Sequence, residues 1–118
     1  MSIVSFSPGA TRAQATATAR IDEVRSRVCA LLPRDDQGVL PLCHLIAEQI
    51  QSRYRDLDPT LVRLVLREVT QSAGYLERIR AEKWRYNLDG ESVEPIQRYQ
   101  REFADAVLGF RYARVRTG

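Results

Sequence analysis

The sequence predicts a mainly α fold of about five helices with one small β-hairpin. Three observations support it. Apolar residues recur at helical spacing along most of the chain, prolines and glycines punctuate it between those stretches, and a single short segment alternates apolar with polar residues. The 118 residues have room for one compact domain. With 44% hydrophobic and 28% charged residues, the chain is neither disordered nor fibrous.

Residues 1–19 are rich in Ser, Thr, Ala and Gly and read as a flexible arm that can extend the first helix near its end. A first helix is expected from Arg20 to Leu32, with Ile21, Val24, Val28 and Leu31 on its apolar side, until Pro33 and the polar run RDDQG end it. A second helix follows Pro41 over Leu42 to Arg53, with Leu42, Leu45, Ile46, Gln49 and Ile50 as its stripe. The third has the best start signal in the chain. Asp58 can cap free amides, and Pro59 stands where a missing N–H costs nothing.

On this third helix Leu61, Leu64, Val65, Leu66 and Val69 form a wide apolar face. Arg63 and Arg67, four residues apart, share its outer side. Thr70, Gln71, Ser72 and Gly74 suggest a break, with a short fourth helix starting near Ser72. In WRYNLDGESV, Trp84, Tyr86 and Leu88 alternate with Arg85 and Asn87, and Asp89-Gly90 signals a tight hairpin turn. Pro95 opens the last helix, in which Ile96, Tyr99, Phe103, Ala106, Val107 and Phe110 are expected to face inward. The organisation is therefore an arm (1–19), a domain (20–110) and a basic tail (111–118).

Of the 18 positive residues, 17 are arginine and one is Lys83. Arginine presents a planar fork of donors suited to phosphate. The cations gather at the ends: residues 1–20 hold Arg12 and Arg20 and no acid, and Arg98, Arg101, Arg111, Arg114 and Arg116 outnumber Glu102 and Asp105 near the C-terminus. Basic ends on a nearly neutral middle suit a polyanion. No apolar run approaches the ~18 residues of a membrane span. The first residues lack the pattern of a secretory signal, and Cys29 and Cys43 read as reduced, buried thiols, so a cytoplasmic protein is expected.

No catalytic residue, metal site or cofactor is expected. His44 adjoins Cys43, but neighbours on a helix point about 100° apart and do not make a nucleophile–base pair. Two cysteines and one histidine so arranged are no zinc site. From spacing alone, Arg63 and Arg67 read first as a solvated helix face. Tyr75 reads equally as a core aromatic or a site residue, and Trp84 as a packing residue.

Pro41-Leu42, the run DPTLVRLVLREVTQSAGYL (58–76) and RYNLDG (85–90) together resemble the FinO/ProQ family of bacterial RNA chaperones. That family has a Pro-Leu at a helix start, a helix of the type L-R-x-x-L-R-x-x-T-x-S, a Tyr-Leu pair and an Arg-x-Asp-Leu-Asp-Gly hairpin. The matching residues here include Arg63, Arg67, Thr70, Ser72, Tyr75, Leu76, Arg85, Leu88, Asp89 and Gly90. Three positions depart from the pattern. Cys43 stands for a lysine, Ala73-Gly74 for an aromatic and an arginine, and Asn87 for an aspartate.

The resemblance implies a monomeric RNA-binding chaperone in post-transcriptional regulation. Its ligands would be terminator-like hairpins with a single-stranded 3′ end, or small and antisense RNAs, which it would stabilise and help to pair. Arg63, Arg67 and Arg85 would hold phosphates. Thr70, Ser72 and Tyr75 would receive the 3′ end, aided by the amides that open the fourth helix. The changes at Cys43, Ala73 and Gly74 leave a second reading open, a small helical protein–protein adaptor without strong RNA affinity.

Overall fold

A computed structural model describes residues 12–117, with side chains from residue 20 to residue 113. In chain order the elements are α1 (Arg12–Leu31), β1 (Arg34–Asp35), β2 (Gly38–Val39), α2 (Ile46–Arg53), α3 (Pro59–Thr70), α4 (Ala73–Ala81), β3 (Trp84–Tyr86), β4 (Ser92–Pro95) and α5 (Arg98–Thr117). Five helices and two antiparallel strand pairs make a mainly helical domain. Residues 1–11 of the expected arm and Gly118 of the expected tail lie outside the described residues, while residues 12–19 and 111–117 continue α1 and α5.

The centre is α3, against which α1 and α2 pack, while α4 and α5 pair with each other. Local chemistry explains its ends. Asp58 accepts a hydrogen bond from the Thr60 N–H at 2.9 Å, and Pro59 occupies the first turn. Val62, Val65 and Leu66 are its buried face, meeting Val24 and Val28 of α1 and Ile46 and Ile50 of α2 in one core. Leu64, expected inside, is exposed beside Arg63. No helix among the described residues is long and apolar enough to cross a membrane.

Three expectations need correction. The second helix begins at Ile46, because Pro41–Cys43 is extended and joins the edge of the second strand pair. Tyr86 N–H donates to Pro41 O (2.7 Å), and Cys43 N–H donates to Tyr86 O (2.9 Å). The hairpin turns through a five-residue connection (87–91), since Asn87 Oδ1 accepts from both Asp89 N–H and Glu91 N–H and widens the turn. Gly90 sits there at φ +77°, where a side chain would be strained. The polar run RDDQG is a second small hairpin, pairing Arg34 with Val39 and Asp35 with Gly38.

The last helix begins at Arg98, after Pro95 ends β4, and is rotated from its expected phase. Ile96, just before it, and Val107 pack inward as expected, whereas Tyr99, Phe103, Ala106 and Phe110 are exposed and Ala104 and Leu108 are buried. The reason lies in polar pins to α4. Arg101 donates to Glu82 O (2.9 Å), Asp105 accepts from Arg80 (3.0 Å), and Tyr112 Oη donates to Glu77 (2.8 Å). These contacts flank the Ala104–Leu108 stripe and hold it on α4, and the small Ala104 side chain permits close approach.

Arg78 is the buried charge of the core, 7% exposed. It grips Asp35 through both terminal nitrogens (2.7 and 2.9 Å) and reaches Glu82 at 3.1 Å, tying the β1–β2 hairpin to α4. The Arg78 guanidinium, joined by the Gln37 N–H, holds the Asp35 carboxyl down from its ordinary 3.8 to about 2. A carboxyl depressed by folding stabilises the fold above its unfolded pKa and loses that contribution as pH falls through its folded one. The melting temperature is therefore expected to decline between pH 4 and pH 2, and Asp35→Asn to remove part of that decline. Thermal melts across that range check it.

Candidate nucleic-acid interface

Most arginines of the domain are neutralised within it. Arg20, Arg25, Arg27, Arg53, Arg78, Arg80 and Arg98 each form an ion pair with a carboxylate. Arg63 and Arg67 are exposed on α3 and have no ion pair among the described residues, a condition shared by Arg34, Arg55 and Lys83. The two stand one helical turn, about 6 Å, apart. With Thr60 and Leu64 they line a shallow hollow of about 300 Å³.

The same side of α3 leads, at its C-terminus, to a cleft of about 490 Å³ between α3, α4, β3 and α5. Thr70, Gln71, Tyr75, Arg85 and Gln100 line it together with Leu76, Ile79, Ala104, Tyr99 and Phe103. Arg85 is half-buried and fixed, donating through Nη1 to Leu42 O (2.8 Å) and through Nε to Gln100 Oε1 (3.3 Å). A guanidinium has five N–H donors, so donors remain for a ligand. Arg85 thus sits as a preoriented cation at the polar wall of an otherwise apolar cleft.

The expected residues are brought together only in part. Thr70 and Arg85 share the cleft with Tyr75, and Arg63 and Arg67 adjoin it along α3. Ser72 does not enter it. Its oxygen caps α4, accepting from Tyr75 N–H (3.3 Å) and donating to Val69 O (2.8 Å), and it borders a smaller hollow with Gln37 and Val39. One of the amides expected to await a terminal phosphate is therefore already met. Thr70 Oγ1 likewise donates to Arg67 O (3.3 Å).

Tyr75 is a core residue, 6% exposed, and its hydroxyl accepts the Leu42 N–H at 2.8 Å. Burial pushes its phenol pKa up, so it stays neutral and a good acceptor. It forms a wall of the cleft and is not open for stacking on a base. Gln71, Gln100, Tyr99 and Phe103 also line the cleft and are not among the expected site residues; the two aromatics four apart are a signal in the sequence, but one that a core-facing stripe shares.

The second cluster of interest, Cys43, His44 and Glu94, has no catalytic geometry. Cys43 is buried and desolvation raises its thiol pKa, while His44 Nδ1 turns to Glu94 at 3.1 Å. That carboxylate is held low chiefly by the His44 backbone N–H. Among the described residues no three His, Cys, Asp or Glu side chains gather where a metal ion could be held.

A family model described as ProQ/FINO family matches residues 13–117. The chain belongs to the ProQ/FINO family. Two solved structures share the ProQ/FINO fold seen here. One is a FinO-like RNA chaperone from Neisseria meningitidis MC58, with a TM-score of 0.67 and 15% identity, the match covering 75% of this chain and 93% of that one. The other is a ProQ homolog from Legionella pneumophila, with a TM-score of 0.56 and 21% identity over 79% of this chain and 80% of that one. No curated protein sequence matches the chain.

Proposed function

We propose that this ProQ/FINO domain is a non-enzymatic RNA-binding chaperone of the cytoplasm that holds structured RNA, a hairpin followed by a single-stranded 3′ end. The observation that carries the reading is the pair Arg63 and Arg67, exposed without carboxylate partners among the described residues, next to a cleft that holds the fixed guanidinium of Arg85. An A-form duplex hides its base edges in a deep groove, so a protein grips it by shape and phosphate. The Arg63–Arg67 face would take stem phosphates, and Arg85 a phosphate where the strand leaves the stem. Membership in the ProQ/FINO family, and the description of the neisserial structure as an RNA chaperone, support the same ligand. Stabilising such RNAs and promoting sense–antisense pairing would follow from holding a hairpin with its loop free.

The test is a gel-shift titration with a tailed RNA hairpin, the same sequence as duplex DNA, and a blunt RNA hairpin. The tailed hairpin is expected to bind most tightly. Equal affinity for DNA and RNA, or no binding to either, would overturn the reading. A protein partner that co-purifies after nuclease treatment, from a chain that binds no RNA, would establish the adaptor instead.

A further inference from the structure

Tyr99 and Phe103 are 68% and 66% exposed, yet they stand one turn apart at the mouth of the apolar cleft. Resting on the RNA reading, we infer that these two rings are a stacking platform for an unpaired nucleobase, which enters the cleft from the Arg67 side. Large aromatic rings left in water need an explanation, and the surroundings supply one. The floor of the cleft is apolar, from Leu76, Ile79 and Ala104, and suits the face of a base. Its rim carries the groups a base edge and its phosphate require. Gln71 is an exposed amide, and Arg85 is the cation. The Gln100 Oε1 is occupied by Gln97 N–H (2.9 Å) and Arg85 (3.3 Å), so its amide N–H groups are the ones left to donate to a base carbonyl.

The volume, about 490 Å³, is in the range of small-ligand sites, which run roughly 300–1,000 Å³. A base inside a duplex is stacked on its neighbours and offers no face, so only an unpaired base fits the geometry. The approach is also short. Gln71 at the rim lies one turn, about 6 Å along the helix, beyond Arg67. The oxygens of Ser72 and Tyr75 already accept backbone N–H groups, and the α5 aromatics add the face on which a base can lie.

The experiment uses a stem-loop RNA with a short 3′ single-stranded tail carrying 2-aminopurine, beside the same stem-loop without a tail. With the intact protein, 2-aminopurine fluorescence is expected to be quenched on binding. Phe103→Ala and Tyr99→Ala are expected to reduce the quenching and to lower affinity for the tailed RNA by about 5- to 150-fold. Affinity for the blunt stem-loop and the melting temperature should stay unchanged, and Phe103→Trp should restore the quenching. Unchanged tailed-RNA affinity and quenching in Phe103→Ala, while the Arg63/Arg67 variant loses binding, would overturn this inference and leave the RNA reading standing. Equal loss for tailed and blunt RNA would overturn it too, placing the aromatics against the stem. Failure of the intact protein to bind either RNA would overturn the underlying reading, and this one with it.

Discussion

Replacing Arg63 and Arg67 together with alanine is expected to weaken binding to a tailed RNA hairpin about a hundredfold, roughly tenfold for each lost charge-assisted contact. The reasoning is electrostatic and local. Both side chains are exposed and neither has a carboxylate within the described fold, so their removal breaks no internal ion pair. The melting temperature should accordingly move by only a few degrees, as for ordinary surface substitutions. A second readout separates phosphate contact from an indirect effect. Each neutralised phosphate on a duplex releases counterions worth about 0.9 in the slope of log K against log salt, so the double variant should flatten that slope by about 1.8. The neighbouring Glu68 is engaged with Arg25 at 2.8 Å, so Glu68→Ala should leave both affinity and slope almost unaltered. Wild-type affinity and slope in the double variant would remove α3 from the interface.

The features of this domain that could be read from the sequence are those decided by neighbours along the chain. Asp58 and Pro59 start α3, and Ser72 caps α4, because a side-chain oxygen two or three residues from an open amide needs no distant partner. The alternation around Trp84–Tyr86 marked β3 for the same reason. What could not be read depends on groups far apart in sequence. Leu42 looked helical by periodicity, but Tyr75 and Arg85, both many residues downstream, take up its N–H and C=O and hold it extended. The phase of α5 is not decided by its sequence, because that helix carries apolar residues on two faces. Periodicity cannot choose between them, and the choice is made by the contacts of Asp105, Tyr112 and Arg101 with Arg80, Glu77 and Glu82 of α4 and its C-cap. The same holds for the candidate site. Spacing alone places Arg63 and Arg67 together on the outer side of α3, and only the family resemblance gives them an RNA role, whereas the exposure of Tyr99 and Phe103 follows from the α4–α5 contact.

Tyr75→Ala is expected to destabilise the domain by about 3–5 kcal/mol, the range for emptying a large aromatic position in a core, and to lower the melting temperature by roughly 15–30 °C. A tyrosine used only to hold RNA would behave in the opposite way, leaving the fold intact and costing affinity alone. The distinction rests on where its hydroxyl goes. Leu42 N–H donates to Tyr75 Oη at 2.8 Å in a buried setting, while the flanking Pro41 and Cys43 bond to Tyr86 of β3. Tyr75 is thus the bolt between α4 and the sheet edge that carries Arg85. In Tyr75→Phe the ring still fills the core, but the Leu42 amide loses its acceptor and cannot reach water, a penalty of about 1–3 kcal/mol. Because Leu42 O also braces Arg85 Nη1, loosening that segment frees the guanidinium from its fixed position. The Tyr75→Phe variant should therefore show both a lower melting temperature and a modest loss of RNA affinity, with the affinity loss absent when Arg85 is already alanine. Chemical denaturation and a titration of the Tyr75→Phe/Arg85→Ala double variant test the two halves separately. Additive losses in that pair would mean that Tyr75 acts on RNA independently of Arg85, contrary to the bracing derived from the fold.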